Sequence, residues 1–336
     1  MTKIRITVVT VTYGARHSYL ERLVDLLATF DDVRIVIVDN GSSAETKSYL
    51  NTAKATVKDS LFVIENCENM GSASAFADGI RYALDEKKSE YIWLLDDDNL
   101  PDTGCYNKLL SYIDLFKSER EKFCLLCNRP SRPQYISAVE HGNSDAVLYA
   151  RNCFLKYGIG QIVSKTLLYF SARDKTKEYG SVSVGPYGGL VLPVDVFTRV
   201  KPPDEKYYLY HDDIDFTYRI STSGYKIYHL KNCIVQDLES SWFQKSGFLQ
   251  RCFPELFENS GLRLYYSLRN RIYFQNQYRV SFRPIFYFHG FLYISILFCV
   301  SILLKKFSLF RIILEALKDG IGGEMGKKVA PYCDTS

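Results

Sequence analysis

Apolar positions recur with two different periods in the first third of the chain. Unbroken β-branched and apolar runs at 4–12, 33–39, 61–64 and 91–95 predict strands. Between them apolar side chains return every three or four residues. Leu20, Leu23, Val24 and Leu27 predict a helix over 18–30, and similar spacing predicts helices over 44–55 and 72–86. Strands alternating with helices build βαβ units, so the expected fold class is α/β: a Rossmann-like, mostly parallel sheet flanked by helices. Strands that are apolar throughout require cover on both faces of that sheet. Leu100-Pro101 interrupts the chain, a helix is predicted over 102–119, and 123–127 reads as one more buried strand.

The pattern then loosens. Residues 123–200 are rich in Gly, Tyr and Ser and read as added strands and loops that shape an acceptor pocket. A helix is predicted from 212 to Ser223-Gly224, then a strand over 226–230, and from about 255 the spacing is helical to the end. The chain thus divides into a catalytic region, 1–240, and a helical C-terminal region, 241–336. Gly and Lys residues from Gly320 onward predict a mobile tail. Neither region contains an internal repeat or a low-complexity tract.

Composition narrows the function classes. Of 336 residues, 47% are hydrophobic and 24% charged, as in an ordinary globular chain with a substantial core. A formal net charge of +4 falls short of the basic stripe that a nucleic-acid partner requires, and none is expected. Nine Cys form no framework; Cys124 and Cys127 make a C-x-x-C without a second pair at zinc-site spacing, inside a predicted buried strand. Free thiols suit a reducing cytoplasm, and the N-terminus enters a strand without the shape of a signal peptide.

Candidate chemistry gathers at predicted strand ends. Asp96-Asp97-Asp98 directly follows a buried strand, and open parallel sheets bind ligands beyond the carboxyl ends of their strands. Three adjacent carboxylates repel unless a counter-charge joins them; Mg²⁺ or Mn²⁺ would supply it and would also bind diphosphate oxygens. Alternation puts Asp96 and Asp98 on one side and Asp97 on the other. A solvated acidic turn closed by Asn99-Pro101 is the plainer alternative. Asp39, in Val38-Asp-Asn-Gly-Ser42, ends another strand and suits a base N–H or a ribose hydroxyl, or else opens a strand-to-helix turn at Gly41. Asn69-Met-Gly71 leads into a helix whose N-terminal amides favour an anion, or forms a tight packing loop. Tyr210-His-Asp-Asp-Ile-Asp-Phe216 enters a helix with more titratable groups than capping needs, so one acid suits a general base; Arg219 would neutralise a carboxylate of the same face.

Taken in order, Val9-Thr-Val-Thr-Tyr13, Val38-Asp-Asn-Gly-Ser42, Asn69-Met-Gly71, Leu95-Asp-Asp-Asp98 and Asp212-Asp-Ile-Asp-Phe216 resemble the family 2 glycosyltransferases of GT-A fold. The resemblance runs from Val8 to about Asp237 and continues more weakly through Ser267-Leu-Arg-Asn-Arg271. The triple Asp is most similar to the galactofuranosyl- and rhamnosyltransferase branches that build bacterial surface polysaccharide. This resemblance implies an inverting, metal-dependent hexosyl transfer from a UDP-sugar or a dTDP-sugar to a glycan or lipid-linked acceptor. It places Thr10, Thr12 and Asp39 in the nucleoside pocket, and Asn69 and Gly71 along the donor. Asp96 and Asp98 would hold the metal and, with Asp97, the ribose or donor sugar. Gly188 and Gly189, in Gly185-Pro-Tyr-Gly-Gly189, fall near the acceptor with Asp212, and Asp213 would be the base. Where the family has a metal-ligating His after Gly224-Tyr-Lys-Ile-Tyr, this chain offers Asp237 as third ligand; His229 is the mid-strand alternative.

Residues 285–304 contain no Lys, Arg, Asp or Glu and match the length of a bilayer span, with basic residues on both sides. Three readings stay open: a helix lying in an anionic membrane surface, a core or homodimer helix, and a true span. The first places the protein peripherally at the cytoplasmic face of the inner membrane. Two rival functions remain, a nucleotidyltransferase and an inactive nucleotide-sugar-binding protein. The loop after the first strand, Tyr13-Gly-Ala-Arg-His17, has only one Gly against the first, and the intact acids oppose the second.

Overall fold

The apolar runs of the N-terminal half become strands and their partners helices, in the expected order. The computed structural model describes residues 4–239 and 248–328. These divide into two compact units, each taken over its described residues. The first comprises Met1–Val147, Arg173–Glu205 and Asp213–Ser241; the second comprises Leu148–Ala172, Lys206–Asp212 and Trp242–Ser336.

In the first unit, β1 (Ile6–Gly14), β2 (Val33–Ser42), β3 (Leu61–Asn66) and β4 (Tyr91–Asp96) are all parallel, in the order β3-β2-β1-β4. They alternate with α1 (His17–Leu27), α2 (Ala44–Val57) and α3 (Gly71–Asp85). After the short β5 (Asn99–Pro101) come α4 (Cys105–Ser118), β6 (Phe123–Asn128) and α5 (Pro133–His141). The helix α6 (Ile159–Phe170) belongs to the second unit. Then follow β7 (Tyr179–Val182), β8 (Leu190–Pro193), α7 (Asp212–Thr222) and β9 (Lys226–Asp237).

The sheet is mixed beyond β4. β8 is antiparallel to both β4 and β6, which makes β6 run the same way as β4, and β9 is parallel to β6. β5 and β7 pair antiparallel with β9. The carboxyl ends of β1, β2, β4, β6 and β9 therefore share one edge. Alternate residues of β1 feed opposite cores, as a two-residue period demands. Ile6 and Val8 pack with Leu20, Leu50, Leu109 and Phe116 from α1, α2 and α4, whereas Val9 and Val11 pack with Phe76, Ile80, Tyr135 and Phe216 from α3, α5 and α7.

Four expectations change. The middle segment contains two helices, α5 and α6, and not only strands and loops. β9 continues past 230 to Asp237, because its pairing passes from β6 and β7 on to β5. The division at 240 becomes a set of segments: 148–172 and 206–212 join the C-terminal helices. The reason is backbone satisfaction. Gln275, 3% exposed, exchanges hydrogen bonds with both Leu155 N–H and Leu155 C=O (2.8 and 2.6 Å), and Asn270 donates to the carbonyls of Tyr207, Leu209 and Tyr210. Finally, the chain after Gly320 is tied down as far as it is described. Gly320 lies inside α11 (Phe307–Gly322) against the Arg269 carbonyl, Gly326 N–H donates to Lys206 C=O at 2.6 Å, and Lys328 pairs with Glu315 and Asp319. The far end, 329–336, lies outside the described residues.

The remaining elements of the second unit are α8 (Phe248–Cys252), α9 (Gly261–Tyr278) and α10 (Arg283–Leu303). Its core joins Leu264, Leu268 and Ile272 of α9 to Phe286, Tyr293 and Leu297 of α10 and Ile313 and Leu317 of α11. The Ser267–Arg271 motif is structural here. Arg269, 1% exposed, lies over the Tyr266 ring at 4.7 Å and donates to the carbonyls of Tyr207 and Gly326.

Gly79 sets the distance between α3 and the sheet. A Cβ there would overlap Val9 Cγ1 and come within 3.1 Å of Val38 Cγ2. Overpacking of this kind costs ~1–3 kcal/mol, more than the helix propensity gained from Ala. Gly79→Ala is expected to lower the midpoint of chemical denaturation; an unchanged or higher midpoint would mean that α3 is free to move outward.

Candidate active site

The shared edge of carboxyl strand ends collects the acids singled out in the sequence. Thr12 sits in register with Asp39 across β1 and β2, and Val11 with Asp96 across β1 and β4. The Asp96–Asn99 turn is closed by Asn99, 0% exposed, whose Oδ1 accepts from Asp96 N–H (3.3 Å) and whose Nδ2 donates to Asp98 (3.2 Å) and Asp237 (3.1 Å).

Asp97 lies in the turn that follows β4 rather than on the strand, so the alternation expected for the three acids does not apply to it. It is buried, accepts from Thr12 Oγ1 at 2.8 Å, and receives a bifurcated hydrogen bond from Arg16 Nε, both contacts at 2.9 Å. Arg16 also reaches Glu239 at 2.9 Å and Asp98 at 3.8 Å. Burial pushes the Asp97 carboxyl up to about 7, against the pull of Arg16 and Thr12. Burial works against the charge of Arg16 as well, but Asp97 and Glu239 outweigh it and hold the guanidinium protonated. Burial and then the Asp96 charge raise Asp98 to about 6, opposed by Arg129 and Arg16.

A second buried cation stands on the other side of Asn99. Arg129, just after β6, contacts Asp96 Oδ2 at 3.1 Å and holds Asp237 Oδ1 through Nε (2.7 Å) and Nη2 (2.5 Å). Ser131 Oγ takes the other Asp237 oxygen. Both oxygens of Asp237 thus have protein partners, and Asp96 shares one of them, Arg129. Among the described residues no three His, Cys, Asp or Glu side chains are grouped to hold an ion. Asp96 and Asp98 suit a hard divalent cation. Both are carboxylates beside the same Asn99, and diphosphate oxygens and water complete such shells. His229 is no substitute: it is buried mid-strand against Tyr135, and burial lowers its pKa to about 3.

The nucleoside residues are also at this edge. Asp39 is fully buried; its Oδ1 accepts from Ser42 N–H at 2.8 Å, while its Oδ2, Thr10 Oγ1 and Ser42 Oγ are buried without a hydrogen-bond partner among the described residues. Orphaned buried oxygens call for a donor or an acceptor from a ligand. Asn69 and Gly71 serve the loop as well: Asn69 Oδ1 accepts from Gly71 N–H (2.9 Å) and Asn40 Nδ2 (3.1 Å). Gly41, with φ +80°, lets this loop close, since a Cβ there would lie 2.8 Å from Asn69 N.

Gly188, expected near an acceptor, borders the acids. It packs against the acidic cluster itself: a Cβ would overlap Asn99 and Arg129 and lie 2.8 Å from Asp96 Oδ2. Gly189, with φ +93°, ties β4 to β6 through bonds to Leu94 C=O and Cys127 N–H, both 2.9 Å.

Asp213 is half-buried on α7, and its Oδ1 accepts from Ile214 N–H at 2.8 Å. Burial raises its carboxyl to about 6; Arg132 and the amide lower it and Asp96 raises it. Asp212 is buried at the first position of α7, among the residues of the second unit. Arg219 neutralises Asp215, four residues before it on the same face, at 2.8 Å.

Residues 7–118 match a family described as glycosyl transferase family 2, the stretch that carries every strand end from Thr12 to Asp98. No curated protein sequence matches the chain. Several solved structures are similar to this chain in fold. A mannosyltransferase from Pyrobaculum calidifontis, PcManGT, solved in complex with GDP-Man and Mn²⁺, superposes with TM-score 0.54 at 15% identity, covering 96% of this chain and 76% of its own. GalNAc-T7, solved with UDP, GalNAc and Mn²⁺, gives 0.52 at 16%, covering 81% and 47%. TarS of S. aureus gives 0.48 at 15%, covering 80% and 39%. The chain thus spans less than half the length of the last two.

Arg16, Asn99, Arg129 and Glu239 are the residues that the motifs did not announce. Thr12→Val removes the hydroxyl donor of a buried carboxylate without changing side-chain shape. It is expected to destabilise the protein by ~1–3 kcal/mol in denaturant titration; a change below about 0.5 kcal/mol would mean that Arg16 alone satisfies Asp97.

Proposed function

We propose that the protein transfers a glycosyl group from a nucleoside diphosphate sugar to an acceptor hydroxyl, with inversion at the anomeric carbon. The observation that carries the reading is the shared edge itself. It sets the orphaned oxygens of Asp39 and Thr10 and the carboxylates of Asp96 and Asp98 along one line of strand ends. Asp39 and Thr10 would receive the base or ribose, and Asp96 and Asp98 would hold a divalent cation at the diphosphate. When bound, that cation offsets charge on the leaving diphosphate. PcManGT in complex with GDP-Man and Mn²⁺, and GalNAc-T7 with UDP, GalNAc and Mn²⁺, support this class of donor.

Asp213 serves as base. It takes the acceptor hydroxyl proton as that oxygen bonds to the anomeric carbon, opposite the departing diphosphate. Single displacement needs only this one base. Its raised pKa suits a base working near neutrality. Arg129 and Arg16 orient the acids before any donor arrives and oppose the rise in carboxyl pKa that burial brings.

The donor we favour is a hexose such as galactofuranose or rhamnose on UDP or dTDP. The acceptor would be a glycan or a lipid-linked hydroxyl of cell-surface polysaccharide. The triple Asp supports that branch.

Asp213→Asn is expected to lower transfer by at least about a hundredfold while leaving calorimetric binding of the nucleoside diphosphate with Mn²⁺ intact. Transfer near the wild-type rate would remove Asp213 from the mechanism. Wild-type transfer should rise with pH through about 6 and level off above, because only the ionised carboxylate accepts a proton. A rate that falls across that range would contradict a carboxylate base. If no nucleoside diphosphate binds the folded protein, the transferase reading fails altogether.

A further inference from the structure

Helix α6 has no buried residue along its whole length. Ile159, Ile162, Val163, Leu167, Tyr169 and Phe170 are each between 51% and 82% exposed. Twelve such residues would not stay helical alone in water, where short helices need an apolar contact on one face. Its N-terminal end is anchored among the described residues. Ile159 N–H donates to His289 Nε2 of α10 (3.4 Å), His289 Nδ1 bonds to Asn152 C=O (2.9 Å), and Gln161 accepts from Ala150 N–H (2.8 Å). Gly158 makes the junction close: a Cβ there would lie 2.9 Å from both Cys153 Sγ and His289 Nδ1.

The helix to which α6 is anchored is itself divided along its length. α10 is long and apolar enough to cross a membrane, yet Phe286, His289, Gly290, Tyr293, Leu297 and Ser301 form one stripe buried from end to end. The opposite stripe, with Phe288, Phe291, Ile296 and Leu303, is exposed. A helix packed along one whole side on its own unit lies against that unit rather than threading a bilayer by itself.

Charge decides what covers these apolar surfaces. Residues 148–172 contain three Lys or Arg and residues 279–314 contain five, and neither segment contains an Asp or Glu. Arg151, Lys165, Arg283, Lys305 and Arg311 are exposed. Apolar side chains with cations and no carboxylates complement an anionic lipid surface. They oppose self-association, since a two-fold contact would set like charges against each other.

We propose that α6 and the exposed stripe of α10 insert together into an anionic bilayer surface, α6 being a second membrane-contacting helix. The proposal is independent of the catalytic reading. The test is co-sedimentation of the full chain with vesicles of phosphatidylglycerol and phosphatidylcholine in equal parts, and with phosphatidylcholine alone. Binding to the anionic vesicles, weakened by salt, is expected. The double variant Ile162→Asp and Leu167→Asp should bind them at least about tenfold more weakly, with an unchanged unfolding midpoint because both side chains are exposed. Phe291→Asp should do the same from α10. Wild-type binding by the α6 variant would overturn the role of α6. Absence of vesicle binding together with a dimer in light scattering, dissociated by the α6 variant, would instead make the surface a self-contact and overturn the proposal.

Discussion

The structure turns on an electrostatic constraint at one edge of one sheet. Asp96, Asp97, Asp98, Asp237 and Glu239 all stand there, and carboxylates so close would repel or take up protons without compensation. Two arginines divide the load. Arg16 serves Asp97, Asp98 and Glu239, and Arg129 serves Asp96 and Asp237. Asn99 sits between the two groups and fixes the turn that both depend on. Breaking either pair would leave a buried charge without its partner, a far larger penalty than the modest net value of an exposed ion pair.

Strand direction explains why the arginines and acids meet. An intervening antiparallel β8 returns β6 to the direction of β4, so the residues after β6 emerge where Asp96 does. The parallel half of the sheet was legible in the sequence, because β1 to β4 are short apolar runs separated by amphipathic helices. Asp39, Asp96 and Thr12 were legible for the same reason, each ending a run of that kind. Arg129 was not. Its position depends on which way β6 runs, and that is fixed by pairing with β8, about sixty residues later in the chain. Arg16 was in view but was weighed only as a member of a Gly-poor loop. Asp237 was legible at its strand end, but its engagement by Arg129 and Ser131 is tertiary and was not.

The C-terminal half was legible as helices but not as an assembly. Helical spacing identifies α9, α10 and α11 from their own residues. It says nothing of the 148–172 and 206–212 segments, whose backbone groups find partners on α9 through Gln275, Asn270 and Arg269. α6 escaped although Ile159, Ile162, Val163, Leu167 and Phe170 recur at helical spacing, because the stretch was read from its Gly, Tyr and Ser content. That this stripe faces outward shows only once burial is known.

The insertion of β8 between β4 and β6 also bears on how the chain is made. Tyr91 to Leu94 pair with Leu190 to Pro193, so the outer side of β4 keeps an open row of N–H and C=O groups while the intervening chain is synthesised. At about 5–20 residues per second, that interval is on the order of five to twenty seconds. During it an apolar strand containing Trp93 is a template for pairing with any other chain. Nascent-chain protection in this protein is therefore needed most between the emergence of β4 and the arrival of β8.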